Sequence, residues 1–190
     1  MNTSGIPAAC VSRASDDWNT PGWIVGRTLD QFGQLGIDPC GNEGSLILAD
    51  RHVWLPTVER ELRRAAGELP ASVVLGDGLR AQWRGPVLLN PPFGGSRVTA
   101  WLHKAWDHSA DAPVIALLPA RVDTKLWHNL IWPEAAAIAW IEGRLTFPPA
   151  IQPAPFPVAL VLLSRGSTRA RDRAAFVRAF ADRAWITEAP

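Results

Sequence analysis

Residues 87–94 read Val-Leu-Leu-Asn-Pro-Pro-Phe-Gly, and they restrict the fold more than any other stretch. Three apolar residues make a short buried strand. Asn90 stands where that strand ends. Pro91 and Pro92 then fix the backbone and offer no N–H to a ladder, so regular pairing stops. A residue before proline is pushed into an extended conformation, which aims the Asn90 side chain instead of curling it into a helix. The carbonyls of Asn90 and Pro91 must find partners elsewhere. Read structurally, the segment is a strand followed by a Pro-Pro turn.

Read chemically, it suits a planar amino group. The nitrogen of such a group is a poor nucleophile because its lone pair is delocalised. Two acceptors, the Asn90 side-chain oxygen and the Pro91 carbonyl, can take both amino hydrogens and draw the nitrogen towards a tetrahedral shape. Phe93 can stack on the ring. The N-P-P-F arrangement after a strand resembles the catalytic loop of amino-group methyltransferases that use S-adenosylmethionine.

Length and composition bound the rest. A chain of 190 residues, 47% hydrophobic and 19% charged, is expected to form one globular domain with a single core. No run reaches the ~20 apolar residues of a membrane span. The first residues lack a basic segment followed by an apolar one, so no signal peptide is expected. Cys10 and Cys40 make no disulfide framework, and a reducing cytoplasm is the expected compartment. The four histidines are scattered and Cys40 has no C-x-x-C partner, so no metal is expected. The formal charge is only +1, yet residues 165–183 hold six arginines against Asp172 and Asp182. That segment is either a basic face for phosphates or a solvated helix surface.

In chain order, residues 1–15 are small and polar and are expected to fray. Asn19 or Thr20 can cap a helix with Pro21 at its first position, running to about Gln34 and burying Ile24, Val25, Leu29 and Phe32. A short strand ends at Asp38, and a turn rich in glycine, asparagine and serine follows. Residues 46–50 suggest a second strand ending in Asp50, where many cofactor folds place a ribose-binding acid. Residues 56–69 suggest a helix with Val58, Leu62, Ala65 and Ala66 on its buried face and Arg60, Arg63 and Arg64 in solvent. Residues 73–79 suggest a strand ending in Asp77, with the next strand parallel to it after a tight crossover. Helical spacing follows over Val98, Trp101, Leu102, Ala105 and Trp106. Strands are expected over 113–118, 135–141 and 158–163, with a helix over 123–131 and a proline-rich stiff loop over 148–157. A last helix is expected over 171–185. Open sheets of this kind bind ligands at the carboxyl ends of their strands.

The ordered pieces W-x-T-P, D-P-C-x-N, G-D-G-L, N-P-P-F-G, L-P-A-R-V-D-T, E-G-R-L-x-F and A-P-F-P cover about 16–164. Together they resemble the phage-type DNA N-6-adenine methyltransferase family. The resemblance implies an α/β, Rossmann-like fold with a mostly parallel sheet of about seven strands, helices on both faces and the last pair antiparallel. It implies S-adenosylmethionine as cofactor, adenine in DNA as acceptor, and direct methyl transfer to a flipped-out base. Asn90, Pro91, Pro92 and Phe93 are its implied catalytic residues. Trp18, Thr20, Pro21, Asp38, Pro39, Cys40, Gly41, Asp77, Gly78 and Asn90 are its implied cofactor contacts, with Asp77 facing the cofactor's adenine. Arg121, Asp123 and Arg144 are carried over as rim or DNA contacts.

The chain departs from the family pattern in having Phe93 where tyrosine is commoner, and in a long segment between Gly41 and Gly76. No separate target-recognition domain is visible. DNA would be read by loops such as 95–97 and 148–157. A monomer or weak dimer in the cytoplasm, that of the host cell for a phage-encoded protein, is the corresponding expectation. An RNA or protein-glutamine methyltransferase, and a non-catalytic binding relative, remain the alternative readings, since the loop handles any planar amino group.

Overall fold

The computed structural model describes residues 18–93 and 97–188. The first seventeen residues, with Cys10 and the expected fraying segment, and Gly94 to Ser96 lie outside the described residues. Eight strands and five α-helices are described: α1 (Gly22–Phe32), β1 (Asp38–Gly41), β2 (His52–Trp54), α2 (Val58–Ala65), β3 (Val73–Leu75), β4 (Val87–Leu89), α3 (Arg97–His108), β5 (Val114–Pro119), α4 (Trp132–Glu134), β6 (Ala137–Ile141), β7 (Val158–Leu163), α5 (Arg169–Phe180) and β8 (Ala184–Glu188). The expected α/β class holds. A π-helical turn over Trp127–Ile131 replaces part of the regular helix expected over 123–131.

The single sheet of about seven mostly parallel strands is corrected. The strands form a three-stranded sheet, β1-β2-β3, and a five-stranded sheet, β4-β5-β7-β6-β8. The first is all parallel. In the second only β4 and β5 run parallel, and every pairing of β6 and β7 is antiparallel. The two sheets adjoin where β1 lies beside β4. Proline explains why the ladder is interrupted there. Pro39 in β1 and Pro86 before β4 have no N–H to donate. A single bond from Gly36 N to the Pro86 carbonyl, at 3.0 Å, links the two sides. Only glycine fits at 36, since a Cβ would stand 1.8 Å from the Arg84 carbonyl. The tight crossover expected between β3 and β4 is also corrected, because they belong to different sheets.

The core has two layers, one on each face of the five-stranded sheet. Leu88, Ile115, Leu117 and Leu160 face α1 and α5, meeting Ile24, Val25, Phe176 and Phe180. Val87, Leu89, Val114 and Val161 face α3 and the π turn, meeting Trp101, Leu102 and Trp127. Both faces of β4 and β7 are therefore buried, which is why they read as unbroken apolar runs. Each such side chain contributes roughly 1.5–3 kcal/mol when taken out of water.

Four local expectations change. Residues 46–50 are irregular: Leu46 and Leu48 are exposed, Asp50 is exposed, and only Ala49 bridges to Leu35. The second strand is instead His52–Trp54. Helix α2 buries nothing, and Val58 and Leu62 are 81% and 67% exposed. It is held by its Thr57 cap and by the Glu61–Arg64 pair. Pro21, not Asn19 or Thr20, caps α1, through its carbonyl and without a side-chain bond. The last helix stops at Phe180, and residues up to Glu188 pair with β6, because Trp-Ile-Thr favours a strand that turns Ala184 and Ile186 inward.

For residues 165–183, read as a basic face for phosphates or a solvated helix surface, the described contacts give each arginine a partner within the chain. Arg165 bonds Ser109 and the Asp107 carbonyl and covers Trp106. Arg169 bonds the carbonyls of Ser164 and Ala135. Arg171 meets Asp172, Arg173 meets Glu188, Arg178 meets Gln31, and Arg183 lies over Trp23. The Arg171 side chain stays 73% exposed beside Asp172, whereas Arg165 and Arg169 tie the segment to α3 and to Ala135. Among the described residues, no helix is long and apolar enough to cross a membrane.

Candidate active site

β4 and β5 are parallel and in register, so Asn90 emerges at the carboxyl edge of the sheet. Its side-chain nitrogen donates to the main-chain carbonyl of Trp18 at 2.5 Å. An amide has one donor end and one acceptor end, so this bond leaves Oδ1 as the acceptor. Pro91 is buried, which anchors the turn. Phe93 joins an aromatic cluster: Trp18, Phe147 and Phe156 meet its ring edge-on at centroid distances of 6.2, 5.9 and 6.0 Å. Trp18 in turn stacks on Phe156 at 5.5 Å.

The N-terminal element is fastened across the same edge. Asn19 N donates to the Pro148 carbonyl, and the Asn42 amide donates to Asn19 Oδ1, both at 2.9 Å. Thr20 beside it is 2% exposed, and its hydroxyl has no partner among the described residues.

Asp38 opens β1 and does not end a strand, as the sequence had suggested. The residue is 1% exposed. It accepts from Ser45 Oγ at 2.6 Å and from Cys40 N at 3.3 Å, with His52 Nδ1 at 3.5 Å. Asp77 follows β3, and its carboxylate accepts from Leu79 N at 2.9 Å in a tight turn. Gly78 lets that turn press on β1, since a Cβ there would stand 1.9 Å from the Pro39 carbonyl. Cys40 lies between the acids. Burial, and then the Asp38 and Asp77 charges, push its thiol well above its usual range, so it is no nucleophile at neutral pH.

These elements enclose a cavity of about 410 Å³. Of the residues singled out from sequence, its wall includes Trp18, Thr20, Asp38, Pro39, Cys40, Gly41, Asp77, Gly78, Asn90 and Pro92. Pro21, Pro91 and Phe93 are not on that wall. Asp50, Arg121, Asp123 and Arg144 are exposed and also off it. Asn19, Asn42, Ser45, Arg60 and Trp101 also line it without having been singled out as site residues, and so does Arg97 from the loop expected to read DNA. Arg60 corrects an expectation of a solvated side chain: it bonds the Leu55 carbonyl at 2.8 Å and Glu43 at 2.8 Å. That bond from Arg60 holds the Glu43 carboxyl below its usual range. Helical periodicity could not show this, because the partner lies in the loop before β2. Among the described residues, no cluster of three or more metal-ligating side chains exists.

The wall suits a ligand with cationic and hydroxylic groups. Two carboxylates face inward, and an unpartnered buried hydroxyl waits at Thr20. S-adenosylmethionine carries an ammonium, a sulfonium and a ribose, and these residues fit it.

No family model matches the chain, and no curated protein does. Among solved structures, one described as "a putative RNA methyltransferase" from Pyrococcus horikoshii is similar at TM-score 0.41 and 18% identity, over 63% of this chain and 65% of that one. A Thermoplasma acidophilum protein, 1320, is similar at TM-score 0.38 and 14% identity, over 64% and 70% of the two chains. The chain thus spans about two thirds of the length of each, and neither likeness bears on activity or substrate.

Proposed function

We propose that this protein is an S-adenosylmethionine-dependent methyltransferase acting on the exocyclic N6 amino group of adenine in DNA. The observation that carries the reading is the bond from Asn90 Nδ2 to the Trp18 carbonyl, which turns Oδ1 into an acceptor at the edge of a cavity holding Asp38, Asp77 and Thr20.

When bound, S-adenosylmethionine supplies a methyl group activated by its sulfonium charge. Asp38 balances the ligand's cationic end, and Asp77 with the Gly78 turn receives its base. Asn90 Oδ1 and the Pro91 carbonyl accept the two amino hydrogens of the target and localise the nitrogen lone pair. Phe93, steadied by three aromatic neighbours, offers the stacking surface. The target base must leave the duplex to reach Asn90, because its amino group is otherwise paired. No side chain need form a bond to the substrate, so positioning supplies most of the rate.

Transfer of labelled methyl from S-adenosylmethionine to unmethylated double-stranded DNA, with RNA and protein extract in parallel, tests the reading. Label recovered as N6-methyladenine in DNA is the expected result. Label in RNA or on glutamine would keep the site chemistry and overturn the substrate. No transfer to any of them would overturn the activity.

A further inference from the structure

S-adenosylmethionine does not account for every charge on the cavity wall. It brings an ammonium and a sulfonium, which the buried Asp38 suits, and a single carboxylate. Arg60, Arg80 and Arg97 all stand on that wall. Arg60 is committed to Glu43 and the Leu55 carbonyl. Arg80 meets Asp77 at 3.8 Å, beyond hydrogen-bonding distance, and its side chain is 81% exposed. Arg97 has no hydrogen bond or ion pair among the described residues. The ligand's carboxylate accounts for one of these last two at most, so the wall has a cation to spare for a further anion.

Arg80 and Arg97 belong to a longer basic tract. From Gly78 to Trp106 the chain holds Arg80, Arg84, Arg97 and Lys104 and no aspartate or glutamate, with Asn90 between the two pairs. Asp77 and Asp107 bound the tract, two acids against four cations. The fold carries the four on two adjoining elements, the turn after Asp77 and helix α3. Arg97, Trp101 and Lys104 follow at helical spacing and share one face of α3. Trp83 joins that face to the turn: its ring stacks on Trp101 at 6.2 Å, lies under Lys104 Nζ at 5.3 Å, and its Nε1 donates to the Gly78 carbonyl at 2.9 Å. Arg84, next to it, is exposed and meets the neutral amide of Gln82 at 3.4 Å.

We propose that Arg80, Arg84, Arg97 and Lys104 form the track that holds the phosphate backbone of the DNA strand whose adenine enters the cavity. This rests on the reading of the protein as a DNA methyltransferase. A base turned out of the duplex stays joined to a phosphate on either side, so anions must lie at the mouth of the cavity that receives it. Arg80 and Arg97, on the wall, take the phosphates beside the target, and a guanidinium fork matches phosphate oxygens in pairs. Arg84 and Lys104, on either side of Trp83, take those further along. Such contacts carry no sequence information, so the track sets register and orientation and leaves base reading to other residues.

Fluorescence anisotropy of a mixed-sequence double-stranded DNA oligonucleotide, titrated with protein at several salt concentrations with S-adenosylhomocysteine present, tests this. Each of Arg80→Gln, Arg84→Gln and Lys104→Gln should weaken binding and lower the slope of log affinity against log salt by about 0.9, the counterion release of one phosphate contact. Arg178→Gln makes the same charge change on α5, against the opposite face of the sheet, and should leave the slope as it is. Arg80→Gln and Arg84→Gln alter exposed side chains and carry the test should Lys104→Gln, whose side chain lies on Trp83, not fold. Unchanged slopes in Arg80→Gln and Arg84→Gln, with DNA bound by the unaltered protein, would overturn the track and leave the proposed function standing. A loss of S-adenosylhomocysteine affinity in Arg80→Gln with its slope unchanged would make Arg80 a cofactor contact and overturn its place in the track. No DNA binding by the unaltered protein, whether or not RNA of the same sequence binds, would overturn DNA as the substrate.

Discussion

The Cα of Gly78 rests against the carbonyl of Pro39 so closely that a Cβ at 78 would stand 1.9 Å from that oxygen. Through this contact the turn that carries Asp77 is pressed onto the strand that carries Asp38. Neither backbone segment can yield without displacing an acid, because Asp38 is bonded to Ser45 and Asp77 to Leu79 N.

Gly78→Ala is therefore expected to lower stability by about 1–3 kcal/mol, the usual cost of overpacking, and to weaken S-adenosylhomocysteine binding. Gly76→Ala serves as the comparison, since a Cβ there meets only Val53 Cγ1 at 4.0 Å. Thermal melts of the two variants, with and without the ligand, check the contrast. Equal behaviour would show that the 76–79 turn can shift freely.

Thr20→Val separates a structural from a binding role. The Thr20 hydroxyl is buried and unpartnered, so replacing it with a methyl group should raise stability of the ligand-free protein by about 1 kcal/mol. The same change should reduce the thermal shift given by S-adenosylhomocysteine. If both stability and ligand binding fall, the hydroxyl has an internal partner and no part in the site.

Asn90→Ala is expected to leave ligand binding within about twofold and to lower methyl transfer by about 10²- to 10³-fold, as for other preorganised polar groups at a reacting centre. Asp77→Ala should show the opposite split, with affinity for S-adenosylhomocysteine falling about tenfold or more through loss of a charged acceptor. Single-turnover transfer and calorimetry on both variants distinguish the two roles.

The Glu43 carboxyl is held below its ordinary value of 4.5, first by the hydrogen bond from Arg60 and against the opposing effect of burial. A depressed carboxyl contributes stability that is present above pH 4.5 and lost as pH falls through the lower, folded value. Glu43→Gln should therefore narrow the difference in melting temperature between neutral pH and about pH 3. Because both side chains reach solvent, the effect should stay within about 1 kcal/mol. An unchanged pH dependence would show that the pair contributes nothing to acid lability.

Much of the site was legible because its parts act over a few residues. The turn at 90–92 follows from two prolines and an apolar run, and Asp77 between two glycines marks a turn wherever it occurs. The D-P turn at 38–39 was legible as a strand boundary, although the strand begins there and does not end. Helix α2 was misread on its own terms. Val58 and Leu62 share a face, but nothing in the described fold packs on it, and the helix is fixed by Arg60 and its Thr57 cap. The last helix was carried on to 185, five residues too far, because Arg, Ala and Phe carry a helical pattern that gives no sign of where the strand from Ala184 begins.

The sequence by itself determined the chemistry-bearing turns, since steric limits at proline and glycine act within a residue or two of where they stand. Tertiary structure alone decided which groups these turns meet. The Trp18 carbonyl that orients Asn90 lies 72 residues away along the chain, and the Arg169 guanidinium that could have met phosphate caps the Ala135 carbonyl. Such partners depend on how whole sheets and helices stack to exclude water, and a hydrogen bond between distant segments exists only once that packing has brought its donor and acceptor within 3 Å or so.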